Sequence, residues 1–422
     1  MEQRRVLMIA FHFPPLAVSS GIQRTLRFVQ HLPSYGWRPL VLTAHPRAYW
    51  ATSDDLLADV PADTIVARAF AFDTARHLSV RGHYPAFLAR PDRWLPWVLG
   101  AIPAGLRLIR KHRPDVIWST YPIATAHLIA HQLHRLSGVP LIADFRDPMA
   151  QEGYPEDRRT WRAFDRIERA VARDAARLVF VTPSARESYR ARYPKVPGEH
   201  FALIENGYDE ESFAAAERDR PGRALNPGRL TLVHSGIVYP SERDPSALMA
   251  ALGRLKRAGR VSASRLSMRF RAPVHDDLLR RLAVEHGVED IIEILPSIGY
   301  RQALAEMLSA DGLILLQAAN CNEQIPAKLY EYFRARRPLL GLATPEGDTG
   351  RALLEHGVRH VAPLEDTLLV EEVLAAFIDA VRANQTTLTS DERVESMSRH
   401  GRARQLATLL EEVRTVAPAE AA

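Results

Sequence analysis

One cysteine, Cys321, is the only thiol among 422 residues, so no disulfide can form within the chain and a reducing compartment suits it. By itself Cys321 reads as a small apolar filler. No uninterrupted apolar run approaches the roughly 20 residues that span a bilayer. The nearest, "WLPWVLGAIPAGLRLIRKHR" from Trp94, is broken by Pro96 and Pro103 and ends in a basic cluster. The opening "MEQRRVLMIAFHFPP" holds a short apolar run stopped by two prolines, without a small-residue cleavage site, and reads as a first strand. Neither GxGxxG nor a Walker lysine is present, and no repeat marks a solenoid. Low complexity is limited to the tail "APAEAA", where disorder is expected to be confined. The basic residues are dispersed, without aromatic interleaving or a known module, which argues against nucleic acid as a partner.

With 46% hydrophobic and 25% charged residues the chain can bury full cores, and its length predicts two domains. A formal charge of +5 and a pI near 9.4 favour anionic partners, nucleic acid, acidic lipid or a phosphorylated small molecule, and composition alone does not choose among them. Short apolar runs, "RVLMIAF", "PLVLTA", "TIVARAF", "DVIWST", "PLIADF", "RLVFVT" and "FALIENG", alternate with helical patterns, the mark of a covered parallel sheet. After a polar stretch the rhythm restarts with "LTLVHSG", "LSMRFRA", "IIEILP", "GLILLQ", "PLLGLA" and "RHVAP". The pattern predicts an α/β protein of two doubly wound, Rossmann-like domains facing a cleft, joined near Asn206. From about Asp391 to Val416 no strand intervenes, and one long helix is expected. Function should lie in the loops after strands, at the carboxyl ends of the sheets.

In "HFPPLAVSSGIQRTLRF", Ser20 is a candidate N-cap, Gly21 permits close approach, and Arg24 lies near a helix start that could meet a phosphate or a sugar. A simple capped turn is the alternative. "ADFRDPM" places Asp144, Arg146 and Asp147 past a strand, where they could position a hydroxyl or pair among themselves. His127, His131 and His134 share a helix face at i, i+4, i+7; zinc is conceivable on such a stripe, but no further metal pattern supports it over a half-exposed polar face. In "NEQIPAKLYEYFRARRP", Pro326 suits the first helical position, and Ile325, Leu329, Tyr332 and Phe333 fall on one face. Lys328 then sits in the first turn, at the positive end of the helix dipole, where a cation is unfavourable unless an anion is near. Arg243, ahead of a helix entered through Pro245 and beyond Gly236, repeats that placement. Two cations at helix starts suggest a diphosphate; an i, i+3 pair of Lys328 with Glu331 is the bland alternative.

Together these motifs resemble the family 4, or group 1, glycosyltransferases of the GT-B fold. Glu323 and Glu331 have the family's paired-glutamate spacing, and "FPPLAVSSGIQR", "ADFRDPM", "ENGYDEESF", "SGIVYPSERDP" and "IPAKLYEYFRARRPLL" occur in the family's order. The resemblance implies an acceptor-side domain over 1–205, a nucleotide-sugar domain over 206–390, and a helix and tail over 391–422 crossing back to the first. It implies that Glu331 accepts the ribose hydroxyls and that Glu323 lies beside the donor sugar. Gly236, Ser297, Tyr300 and Ile325 would line the donor site, with the base taken by the loop around Ser297 to Tyr300. Arg243 and Lys328 would meet the diphosphate in place of a metal, and Ile237 stands where many members carry arginine. Gly21, Arg24, Asp144 and His127 would face the acceptor. The implied reaction is retaining transfer from a nucleotide sugar to a glycan or lipid-linked hydroxyl, with no cofactor, in the cytoplasm, in bacterial polysaccharide or lipopolysaccharide assembly. A nucleotide-sugar 2-epimerase and an inactive sugar-binding homologue are the alternatives. The segment from Trp94, with Trp97 and its basic end, is a candidate peripheral contact with the membrane, an ordinary buried helix being the alternative.

Overall fold

The computed structural model describes residues 4–17, 19, 21–218 and 224–416. The chain forms two compact units: one runs to Asn206 and takes back the chain from Arg399, and the other is Gly207–Ser398. The first holds β1 (Arg4–Ile9), β2 (Trp37–Ala44), β3 (Ile65–Ala69), β4 (Val116–Thr120), β5 (Leu141–Phe145), β6 (Arg177–Phe180) and β7 (Phe201–Leu203), in the order β3-β2-β1-β4-β5-β6-β7. The second holds β8 (Leu230–Ser235), β9 (Leu266–Arg271), β10 (Ile292–Leu295), β11 (Gly312–Leu316), β12 (Leu339–Leu342) and β13 (Val361–Ala362), in the order β10-β9-β8-β11-β12-β13. All pairings are parallel.

The predicted apolar runs each overlap one of these strands. Central strands β4, β5, β11 and β12 are buried along their whole length, as near-continuous apolar runs must be in a sheet covered on both faces. In each unit the strand order reverses beside the first strand, between β1 and β4 and between β8 and β11. Such reversals leave a crevice beyond the carboxyl ends, and the loops after β1 and β8 open there.

Two elements depart from expectation. The C-terminal stretch is not one helix: Asp391–Ser396 ends in the second unit, and Arg399–Val416 starts anew in the first. Between them Ser398 bridges Tyr208, and the Tyr208 N–H donates to the Met397 carbonyl at 3.3 Å. No proline or glycine marks that break, because tertiary pairing makes it. The last helix buries Ala403, Leu406, Leu410 and Val413 at three- and four-residue spacing against the first unit's core. Arg402 anchors its start, donating to the Asn206 carbonyl at 3.1 Å and to Glu205 at 2.8 Å. The tail "APAEAA" lies outside the described residues.

The segment from Trp94 also differs. Pro103 lies inside a continuous helix, Val98–His112, and Trp97 is wholly buried, 5.7 Å from the Phe11 ring. Trp94 is half-buried, its indole N–H on the Ala48 carbonyl at 3.3 Å. Trp97 serves the core, and Trp94 leaves only part of its ring exposed.

If the last helix is part of the first unit's core, Leu410→Ala should cost about 2–5 kcal/mol in urea unfolding. Thr408→Ala, on the exposed face, should stay within about 0.5 kcal/mol.

Candidate active site

In the second unit the site is built where β8 and β11 end side by side. His234 is fully buried near the end of β8, its Nδ1 3.0 Å from the Ile314 carbonyl. That bond assigns the proton to Nδ1 and leaves Nε2 as an acceptor, 3.4 Å from Lys328 Nζ. Burial, then the Lys328 charge, pushes the His234 pKa well down, so the ring is neutral. Gly236 follows at φ +112°, and a Cβ there would stand 3.0 Å from Lys328 Nζ. Glycine thus meets both the backbone angle and the close approach of the ammonium.

Lys328 opens the helix Lys328–Ala335, two residues later than Pro326 suggested. The Leu329 N–H reaches the Pro326 carbonyl at 2.9 Å and the Tyr330 N–H the Ala327 carbonyl at 3.2 Å, so proline occupies a tighter entry turn. Burial, then the Arg243 charge, lowers the Lys328 pKa to about 7, and Glu331 opposes that shift. Arg243 precedes the helix Ser246–Arg257, donates to the Ile237 carbonyl at 3.2 Å and lies 5.1 Å over the Tyr239 ring. Among the described residues neither cation has a carboxylate within ion-pair distance. The local pair with Glu331 is not formed; one Glu331 oxygen instead accepts the Tyr300 phenol at 2.7 Å.

Tyr300 is half-exposed and begins the helix Tyr300–Ser309; Ser297 lies in the exposed loop before it. Arg271 ties that loop down, donating to the Pro296 carbonyl at 2.8 Å while its other nitrogens grip Glu306. Glu323 is exposed on the loop leading to Lys328. Ile325 corrects an expectation. Its side chain is buried with Leu329, Tyr332 and Phe333 in the core, where the helical spacing sends it, so only its backbone could face a donor.

The first unit corrects three more residues. Arg24 and Asp144 form a fully buried, two-pronged ion pair, with bonds of 2.8 and 2.7 Å. Arg24 also donates to the carbonyls of Ile204 and Glu205, and Thr120 donates to Asp144 at 2.9 Å. The pair ties the helix Gly21–His31 to β5 and to the chain after β7, and its carboxylate is spent. His127 is buried, its Nδ1 2.7 Å from the Ser119 hydroxyl, and burial lowers its pKa to about 4. His131 pairs with Asp174 at 2.7 Å and His134 with the Val139 carbonyl at 2.8 Å. The histidine face is thus spent on three separate contacts, and no metal-holding group of side chains occurs among the described residues.

Gly21 opens the helix Gly21–His31 against His12 and Arg146. A Cβ there would lie 2.3 Å from His12 Nδ1 and 2.8 Å from Arg146 Nη1. Ser20 lies outside the described residues, and Ser19 takes the capping part, accepting the Gly21 N–H at 3.2 Å. His12 is the residue that motif reading passed over. It is buried, its Nδ1 is 3.1 Å from the Ser19 hydroxyl, and its Nε2 has no hydrogen-bond partner among the described residues. Burial, then Arg146, brings its pKa down to about 4. Its only signal was position, a polar ring between a buried strand and two prolines.

Residues 20–207, under half of the chain, match the model of the glycosyl transferase 4-like domain. A search of curated proteins found no match to the sequence. Among solved structures, sucrose-phosphate synthase from Thermosynechococcus elongatus superposes with a TM-score of 0.62 at 14% identity, covering 98% of this chain and 100% of that one. Anabaena HepE in complex with UDP and glucose gives 0.63 at 13%, covering 97% and 100%. The lipopolysaccharide outer core galactosyltransferase WaaB in its apo form gives 0.61 at 10%, covering 96% and 99%. The chain has the GT-B fold of two Rossmann-like domains that these proteins share.

Removing one partner of a buried ion pair strands the other charge. Asp144→Ala should therefore cost about 3–5 kcal/mol in chemical unfolding. A mutant of wild-type stability that has lost activity would return Asp144 to the reaction.

Proposed function

We propose that the protein is a retaining glycosyltransferase that moves a sugar from a nucleoside-diphosphate sugar to a hydroxyl of a glycan or lipid-linked acceptor. The observation that carries this is the pair Lys328 and Arg243, two cations at helix starts, close enough to raise each other's cost and without carboxylate partners among the described residues. Such an arrangement is favourable only with an anion between them, and a diphosphate at two helix N-termini supplies it. The match of the first unit to the glycosyl transferase 4-like model, and the UDP held by HepE, support the same ligand class.

In this reading Lys328, Arg243 and the backbone N–H groups of the two helix starts meet the charge that grows on the diphosphate as the glycosidic bond breaks. A preorganised site of this kind needs no reorganisation during the reaction. Glu331, steadied by Tyr300, accepts the ribose hydroxyls, the loop from Pro296 to Tyr300 takes the base, and Glu323 lies beside the sugar. With Arg24, Asp144 and His127 committed to the interior, the acceptor side reduces to Gly21 and its neighbours His12 and Arg146. The two protein cations act where other folds use a metal, so transfer is metal-independent. Retention at the anomeric carbon, a cytoplasmic setting and a role in polysaccharide or lipopolysaccharide assembly follow from the family resemblance. Membrane contact, with Trp97 withdrawn, falls to the outward face of the helix Val98–His112, where Leu99, Arg107, Arg110 and Lys111 are exposed.

Thermal shift with UDP, GDP and ADP sugars, followed by product analysis with and without glycan acceptors, tests the reading. Transfer is expected. A C2 epimer formed from donor alone would make the protein an epimerase, and absence of any nucleotide-sugar binding would end the proposal. Lys328→Ala should lower turnover about a hundredfold to a thousandfold while changing UDP affinity about tenfold or less. Chelator should leave the wild type active. Normal turnover in the mutant, or a wild type silenced by chelator, would contradict the assigned role.

Glu331→Ala should weaken UDP binding roughly tenfold to a hundredfold by calorimetry, the value of a hydrogen bond to a charged group. Unchanged affinity in the folded mutant would move the ribose site elsewhere.

A further inference from the structure

The loop that carries Glu323 is held from beneath by polar side chains that the reaction itself does not use. Gln317, just past β11, and Thr349, in the helix Asp348–Glu355, are buried, with 4% and 1% of their surfaces exposed. The Gln317 amide nitrogen donates both its hydrogens to backbone carbonyls, to Cys321 at 2.6 Å and to Gln324 at 2.9 Å. The Thr349 hydroxyl lies 2.8 Å from the Gln324 carbonyl and 3.0 Å from Gln317 Oε1, one proton serving both. Carbonyls 321 and 324 bracket Glu323. The same span is closed by the Gln324 N–H on the Cys321 carbonyl at 2.9 Å and docked by the Asp348 N–H on the Asn322 carbonyl at 2.7 Å.

Burying an amide and a hydroxyl costs free energy unless every group is satisfied, and an apolar pair could fill the same space. Here the polar groups are spent on the backbone of one exposed loop. We propose that Gln317 and Thr349 are positioning residues that set the direction of Glu323 toward the donor sugar. The inference rests on the assignment of Glu323 to the reacting sugar. A displacement near 1 Å in a reacting constellation costs about a hundredfold in rate, so a clamp on both flanking carbonyls acts on turnover more than on binding of the nucleotide.

Two readouts test it on the full chain, with UDP as the binding probe and whichever nucleotide sugar the wild type turns over as the substrate. Thr349→Val and Gln317→Leu should raise hydrogen exchange in peptides over Cys321–Ile325 about tenfold, with the helix Lys328–Ala335 unchanged. They should lower kcat about tenfold to a hundredfold, leaving UDP affinity within about threefold. Thr349→Ser, which keeps the hydroxyl, should restore both. If Gln317→Leu does not fold, Thr349→Val carries the test. Exchange that stays at the wild-type level, or that rises across the whole second unit while kcat and UDP affinity fall together, would overturn the clamp. Should the wild type turn over no nucleotide sugar, the proposed reaction fails by itself and the exchange pattern alone decides whether the clamp exists.

Discussion

The ammonium of Lys328 is the constraint around which the second unit's site is arranged. It stands at the positive end of a helix, beside a second cation, and loses solvation by burial, three costs of the same sign. The fold meets them only in part. His234 presents a neutral nitrogen, its proton held on Nδ1 by the Ile314 carbonyl and a second proton kept off by burial and by the Lys328 charge, and Gly236 leaves the room that any side chain would fill. Residual cost at a folded site is tolerable when a ligand removes it, and the proposed diphosphate carries the charge of the opposite sign. The β8-β11 reversal brings the two together, since Gly236 and Arg243 follow one strand and Lys328 follows the loop after the other.

The first unit shows the opposite use of charge. Arg24 and Asp144 are buried and matched in geometry and number of bonds, with Thr120 and two carbonyls completing the shell. Such a pair fixes where the first helix sits against β5, and with it the position of Gly21. Buried charge that is fully satisfied is architecture; partly unsatisfied charge at a strand reversal is where ligand chemistry should be sought.

Much of this was legible in the chain. Strand runs such as "DVIWST" and "GLILLQ" carry apolar residues at consecutive positions, so covered parallel strands were the economical reading, and Lys328 and Arg243 stood out because each sets a cation at a helix start. What failed to read did so for tertiary reasons. Asp144 and Arg24 are 120 residues apart, and their pairing depends on sheet order. Ile325 was assigned to the donor site by the family resemblance, although its helical face is the core face. The helix break at Met397–Ser398 has no local signal, and His12 looks like any polar residue in a loop until Gly21 is seen packed against it.

The central claim is that the Lys328 site stays costly until a diphosphate arrives, and proton linkage reads this directly. With its pKa lowered to about 7, Lys328 is mostly neutral at pH 8 in the free protein. A bound diphosphate favours the ammonium and raises that pKa, so protons must be taken up between pH 7 and the bound value, and affinity must fall as pH rises through that window. Calorimetric titration with UDP at pH 8, in buffers of small and large ionisation heat, should show uptake of about one proton. Lys328→Met should abolish it. Equal heats in the two buffers for the wild type, or the same uptake in the mutant, would contradict the account.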